Sequence, residues 1–484
     1  MNYRMVSYII GQIVRVEGIL MIPSLVVSVI YGESAFAAFL IPIVLSVAAG
    51  TLLTIKKPSN PDIFAKEGFV TVGLSWIIMS LIGALPFVID GCIPSFVDAF
   101  FETVSGFTTT GASILTEIES LGRGMLFWRS FTHFVGGMGV LVFVLAILPQ
   151  ADTRSVKLMH VMRAEVPGPK VGKLVSKIGR TARIMYGIYI GLTVIEMILL
   201  LAGGMPVYDS IVNSFATAGT GGFAIKNASI AAYDSAYIDY VIGIFMFLFG
   251  VNFNLYYLIL IGHVGEALRS EELRWYLIIT GVSTALIAAD IYEIFGTVGE
   301  SVRYAFFQVT SVMSTTGFAT SDYNAWPALS KVILTLLMFC GACVGSTTGG
   351  IKVGRIILLV KSGLREVKYM LHPRAVVAVR SEGKPVERDV LRGANSYMIV
   401  YIMLFTVSLF LVEMVEECDL VTGFTAVSAC LNNVGPGLGE VGPAGNFSAL
   451  TPFTKILLSV DMLAGRLEIF PLLMLFAPST WRGR

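Results

Sequence analysis

Four short polar runs, each ending in glycine, are the residues best placed to do chemistry. They are Thr108-Thr109-Thr110-Gly111, Ala218-Gly219-Thr220-Gly221, Ser314-Thr315-Thr316-Gly317 and Asn432-Asn433-Val434-Gly435, and their glycines stand 110, 96 and 118 residues apart. The chemistry on offer is coordination of an ion by neutral oxygen. An extended strand presents a ladder of carbonyls, and a ring of carbonyls can replace the water around an alkali cation. Glycine suits such a strand because it adopts backbone angles that a Cβ penalises and lets the strand approach an axis. Each run follows a short helix-like stretch, at about 96–107, 207–217, 303–313 and 420–431. The C-terminal end of such a helix carries partial negative charge. Ordinary glycine turns between hairpins are the plain alternative. Four copies at matched positions, each behind a short apolar segment, argue instead for a monovalent-cation pathway made of four non-identical units.

Such runs need a frame that shields them. The 484-residue chain is 55% hydrophobic and 14% charged, with a mean hydropathy of +0.78. A soluble domain is about a quarter charged, so an all-α integral membrane protein is expected. Apolar stretches long enough to cross a bilayer, about 20 residues, fall at roughly 8–31, 36–55, 69–89, 125–149, 184–203, 237–262, 275–295, 329–360, 394–412 and 453–477. That predicts ten transmembrane helices. Two stand at the N-terminus, and eight form four pairs around one pore, each pair bracketing a glycine run. The expected units are 1–60 (the two extra helices), then pore units 61–160, 161–265, 266–380 and 381–484. The stretches before the glycines are too short to span and fit re-entrant segments. Irregular backbone at membrane depth survives only where protein shields it or where it lines a water-filled cavity. The N-terminal stretch is long enough to span and lacks a small-residue cleavage site, so a cleavable signal peptide is not expected.

Charge orients the chain. The connection 152–183 holds eight Lys/Arg against two acids, and 361–392 holds eight against four. Both are expected on the cytoplasmic side, with both termini. Segments 90–124, 204–240, 290–328 and 413–455 hold seventeen acids against four Lys/Arg, so all four runs lie on, or dip inward from, an acidic outer face that concentrates cations.

The segment 341–350, GACVGSTTGG, interrupts a long apolar stretch with glycine dense enough to break a membrane helix. A small-residue packing face is the alternative. The G-x-x-x-x-G-K-[ST] order of a phosphate loop is absent, and no strand precedes the segment. Arg466 lies inside the last span, where a charge is functional by default, with Glu468 the nearest candidate partner and a buried structural contact to Glu468 or to backbone as the alternative. Lys352 follows the glycine loop, as a gate residue or as a lysine reaching for the interface. Arg129 and His133 share a helix face and are expected to bond carbonyls of a pore loop. Arg15 and Glu17 read as peripheral and structural, and Cys340 and Cys343 as packing residues. The four histidines are far apart, and no zinc-protease, nucleophile-elbow or Walker motif occurs, so an enzyme is not expected.

The chain resembles a known family. FETVSGFTTTGAS (101–113), SFATAGTGGFA (214–224), VMSTTGFATSDYNAWP (312–327) and LNNVGPGLGE (431–440) resemble the four filter regions of the Trk/Ktr/HKT potassium transporters. VMRAEVPGPK (161–170), GSTTGGIKVGRI (345–356), HPRAV (372–376) and GRLEIF (465–470) resemble blocks of its bacterial Trk-type membrane subunits. The resemblance implies potassium uptake through a filter formed by Thr109, Thr110, Gly111, Thr220, Gly221, Thr315, Thr316, Gly317, Asn433, Val434 and Gly435. Glycine at all four positions goes with potassium, whereas serine at the first goes with sodium. It implies a gate below the filter, made by Gly345, Ser346, Thr347, Thr348, Gly349 and Gly350 with Lys352 and Arg466. It also implies K+ as the transported ion with no organic cofactor, an inner-membrane homodimer, and a cytosolic TrkA-like nucleotide-binding regulatory subunit. The basic connections 152–183 and 361–392 offer that subunit a surface, and contact with anionic lipids explains their charge equally well. Nucleic acid is not expected as a partner.

Two mechanisms fit this scaffold, a gated channel-like conduit and a proton- or sodium-coupled symporter. Coupling needs an ionisable residue buried in the pathway. No carboxylate is obvious inside the core spans, which favours passive, gated permeation, and Gly111 disfavours a sodium-conducting relative.

Overall fold

A computed structural model describes residues 1–60, 63–137, 139, 178–374 and 378–481. Among these residues the only strands are Arg380–Ser381 and Lys384–Pro385, a small antiparallel hairpin. The rest of the regular structure is helical. Six helices or joined helices are long and apolar enough to cross a membrane: Tyr3–Ile30, Phe36–Thr54, Lys66–Asp90, Arg183–Ala202, Glu271–Asp290 and Arg388–Val415. Their outer faces are apolar. In Arg388–Val415, Ile399, Ile402, Met403, Val407, Phe410 and Met414 are exposed at helical spacing, while Tyr397, Tyr401, Ser408 and Val412 turn inward. A helix that is apolar on its exposed face is solvated by lipid rather than water.

These six fall where the expected spans 8–31, 36–55, 69–89, 184–203, 275–295 and 394–412 lie. Three other spans are not continuous helices. The stretch 237–262 is two helices, Ala236–Phe249 and Phe253–Leu260, bent by 91°. The stretch 329–360 becomes Ala328–Cys340 and Val353–Leu371 around non-helical residues 341–352. The stretch 453–477 becomes Pro452–Arg466 and Phe470–Phe476. Two of these breaks have a local cause. Asn252 caps the helix after the first bend through its side chain, and Glu468 and Ile469 take positive φ angles of 54° and 67° ahead of Pro471. Hydropathy averages over such turns and does not register them. The stretch 125–149 begins as the helix Arg123–Gly137. Its remainder, the boundary at 160/161, the block 161–170 and most of the connection 152–183 lie outside the described residues.

Four short helices end at the glycine runs: Phe96–Phe107, Val207–Gly219, Val298–Met313 and Leu420–Leu431. Two start on clear sequence signals. Ser95 accepts from the Asp98 amide and Thr297 from the Glu300 amide, each placing an acid in the first turn. At 1.5 Å per residue each is about 18–24 Å long, short of a bilayer core. Small residues let the neighbouring helices approach closely. A Cβ at Gly136 would lie 1.9 Å from the Phe107 carbonyl oxygen, and one at Gly219 would lie 2.3 Å from that of His133.

Candidate functional site

All four short helices end in the same way. The residues after them, Thr109, Thr220, Thr315 and Asn433, sit in the left-handed region at φ of 56°, 54°, 55° and 55°. The amide of each next residue reaches back five positions: Thr110 to Ser105, Gly221 to Ala216, Thr316 to Ser311 and Val434 to Ala429. This is the Schellman termination, in which the left-handed position usually holds glycine. Here three of the four are β-branched threonine, which avoids that region at a cost of about 1–2 kcal/mol each. Side-chain bonds hold two of the four there. The Thr315 hydroxyl accepts from the Gly349 amide at 2.7 Å, and the Asn433 amide nitrogen donates to Thr110 Oγ1 and to the Met462 carbonyl, both at 2.9 Å.

Two residues beyond the left-handed position the backbone turns again, at Gly111, Gly222, Gly317 and Gly435, with φ of 82°, 75°, 87° and 98°. This corrects the sequence register by one residue. Gly222 matches the other three glycines, while Gly221 matches Thr110, Thr316 and Val434. In one-letter order both Gly221 and Gly222 fit, and only the backbone distinguishes them.

The runs close into a ring. A Cβ on Gly111 would lie 2.0 Å from the Gly221 carbonyl oxygen, and one on Gly222 would lie 1.9 Å from that of Thr316. One on Gly317 would lie 2.3 Å from the Val434 oxygen, and one on Gly435 would lie 2.6 Å from that of Thr110. The first run touches the second, the second the third, the third the fourth, and the fourth the first. Four equivalent carbonyls, from Thr110, Gly221, Thr316 and Val434, thus lie at the seams, each beside a glycine where any side chain would strike it. Thr109, Thr110, Thr220, Thr315, Thr316, Asn433 and Val434 are all buried. Neutral oxygens with no charged ligand suit a weakly hydrated monovalent cation, which needs replacement of its water shell rather than charge neutralisation.

The loop 345–350 packs against these turns. Gly349 donates to Thr315, and a Cβ on it would lie 2.2 Å from the Asn432 carbonyl oxygen. Thr347 Oγ1 is 3.3 Å from Thr220 Oγ1 and also donates to the Phe249 carbonyl. Ser346 and Thr348 share a hydroxyl bond of 2.8 Å, and Gly345 O accepts from the Phe253 amide across the 91° bend. Gly350 takes φ 74° and closes the loop against Gly341. Lys352 does not reach for an interface. It is buried, its ammonium bonds both oxygens of Thr348, and its own backbone takes φ 76°.

Arg466 ties this loop to the end of the helix Arg123–Gly137. Its guanidinium donates to the carbonyls of Thr347 at 2.6 Å and Gly137 at 2.7 Å, and also to that of Gly136. The expected partner Glu468 pairs instead with Arg355 at 2.6 Å, because the turn at 467–469 carries its side chain away. Arg129 bonds a carbonyl of the second run's strand, that of Ala224, at 2.8 Å, whereas His133 packs its ring on Phe223.

Four carboxylates were missed in the sequence. Glu102 pairs with Arg129 at 2.6 Å and accepts from Ser113 Oγ and the Ile114 amide, so it fastens the strand after the first run. Glu272 accepts from two amides flanking the glycine loop. Glu196 and Asp461 are completely buried, within Arg183–Ala202 and Pro452–Arg466, which overturns the expectation that the core spans carry no carboxylate. A single acid in an apolar run barely moves a hydropathy average. Glu272 carries only the weak signal of an acid in a helix's first turn, and Glu102, in the middle of Phe96–Phe107, carries none.

Residues 35–482 match the family described as TrkH, cation transport protein. The chain is 37% identical over 489 residues to the Trk system potassium uptake protein TrkH of Escherichia coli K12, covering 100% of both. It is 35% identical over 492 residues to TrkG of the same strain, covering 100% of this chain and 99% of the relative. The crystal structure of the potassium transporter TrkH from Vibrio parahaemolyticus superposes with a TM-score of 0.90 at 31% identity, covering 100% of both chains. Transport rather than catalysis is therefore its business, and the chain belongs to the TrkH family of cation transport proteins.

Proposed function

We propose that this protein takes up potassium through the ring of glycine-run carbonyls, under control of the loop 345–350. The single observation that carries this reading is the cyclic contact of Thr110, Gly221, Thr316 and Val434 carbonyls with the glycines of the neighbouring runs. Strained threonines retained at all-buried positions agree with it, since strain of this kind collects where function needs it. In the full reading, ten spans form four helix–pore-loop–helix units around one pore, with two helices outside them. Both termini are cytoplasmic in the inner membrane, the protein is a homodimer, and a cytosolic TrkA-like nucleotide-binding subunit works the gate. The relatives named as parts of a Trk system support the last point. In the gate, the Arg466 guanidinium opposes cations while its bonds to Thr347, Gly136 and Gly137 hold the loop across the path.

Growth rescue of a potassium-uptake-deficient bacterium, with rubidium and sodium uptake into proteoliposomes, tests the function. Equal rubidium and sodium permeability would sink it. Deleting 345–350 should raise flux, and unchanged flux would remove the gate. A coupled symporter is the second reading, favoured by Asp461, which is buried with only Ser408, among the described residues, bonded to its carboxylate. Asp461→Asn would then abolish any dependence of uptake on a pH gradient.

A further inference from the structure

One acidic side chain holds both flanks of the glycine loop. Glu272 stands in the first turn of the helix Glu271–Asp290, and its Oε1 accepts from the Val344 amide at 2.8 Å and the Gly354 amide at 3.0 Å. These amides bracket residues 345–350 on either side. The Gly354 amide is among the first-turn donors of Val353–Leu371 that have no partner within their own helix. A carboxylate at a helix N-terminus is also favoured by the helix dipole. The contact leaves its mark on the sequence. A Cβ on Gly354 would lie 2.6 Å from Glu272 Oε1, and the residue there is glycine although alanine is the better helix former.

The same helix end is gripped from the other side. Glu271 pairs with Lys361, and its carboxylate accepts from the Glu382 amide at 3.4 Å. Glu382 in turn accepts from Ser270 Oγ at 3.1 Å and the Glu271 amide at 3.2 Å. Glu382 belongs to the hairpin around 380–385, within the basic connection 361–392. Two adjacent glutamates therefore join that hairpin to the two ends of the loop.

We propose that Glu272 is a positioning residue, a latch that fixes the glycine loop in its closed place and through which movement of the hairpin reaches the loop. This rests on the gate reading of 345–350. With the full-length chain in liposomes, Glu272→Ala removes two hydrogen bonds to a charged acceptor and should raise rubidium flux about tenfold. Glu272→Gln keeps a neutral acceptor oxygen and should raise it less. Gly354→Ala should raise flux with the carboxylate intact, which also covers the case in which Glu272→Ala does not fold. The half-saturating rubidium concentration and the rubidium-to-sodium ratio should stay as in the parent protein, because the carbonyl ring is untouched. In a chain lacking 345–350, neither substitution should add anything. If both substitutions fold and leave flux unchanged while the loop deletion raises it, the latch is overturned and the gate stands. If the deletion itself changes nothing, the gate reading falls and the latch with it. Equal gains in the intact and deleted backgrounds would mean general loosening, which also overturns the latch.

Discussion

Replacing Gly221 and Gly222 in turn separates two clashes that look alike in sequence and differ in kind. A Cβ on Gly222 would lie 1.9 Å from the Thr316 carbonyl oxygen, where ordinary contact begins at 3.4 Å, so the two runs must part by about 1.5 Å at the ring. The residue also holds φ 75°, which adds about 1–2 kcal/mol for any side chain. The atoms struck are backbone, so no side-chain truncation relieves the clash. A Cβ on Gly221 would instead lie 2.0 Å from His133 Nδ1 and within 2.5 Å of the ring carbons, at an ordinary backbone angle. His133 is completely buried against Phe223, so its ring cannot move aside. Gly221→Ala should therefore lower the melting temperature, and His133→Ala should restore it, with a coupling of about 1–3 kcal/mol. Gly222→Ala should change the rubidium-to-sodium uptake ratio in proteoliposomes, with no rescue by His133→Ala. If Gly222→Ala discriminates like the parent protein, or if His133→Ala rescues both variants equally, the one-residue register set by the left-handed threonines is wrong.

Other perturbations follow from the same geometry. Arg466→Ala removes the bond to Thr347, worth about 1.5–3 kcal/mol for a charged donor, so basal rubidium flux should rise roughly ten- to hundredfold; Arg466→Lys keeps the charge but not the fork, and should fall between. Flux equal to the parent in both variants would remove Arg466 from the gate. Gly111→Ser places a side chain against the Gly221 carbonyl and should raise sodium uptake relative to rubidium; an unchanged ratio would put Gly111 off the ion path. Arg129→Leu leaves the Glu102 carboxylate buried without its partner and should cost about 3–5 kcal/mol, read as a loss of thermal stability. Glu102→Leu in the same chain should recover much of that loss, and a further loss would mean that the strand bonds to Ser113 and Ile114 dominate.

The comparison of chain and fold turns on range. Apolar stretches, short helices before glycines and segregated charge are properties of neighbours along the chain, and a bilayer acts on them directly. Six full spans, four short helices and the glycine loop were accordingly legible. The family was legible too, because its blocks are contiguous. Helix breaks at 250–252 and 467–469 were not, since they depend on one cap or two left-handed residues inside apolar sequence. Nor were the partners of charged groups. Glu468 is two residues from Arg466 along the chain, yet a turn sends it to Arg355, 113 residues away. Glu272 reaches across 72 and 82 residues to its two amides.

By itself, then, the sequence determined that four glycine runs exist, that lipid surrounds their frame, and which connecting segments are acidic. Only the tertiary structure decided that the runs touch in a closed cycle, that Gly222 and not Gly221 completes the set, and that the loop is pinned by Arg466 and Glu272. The physical reason is that a carbonyl carries no side-chain identity. Its partner is fixed by backbone angle and by what packs beside it, and neither is written in the order of residues.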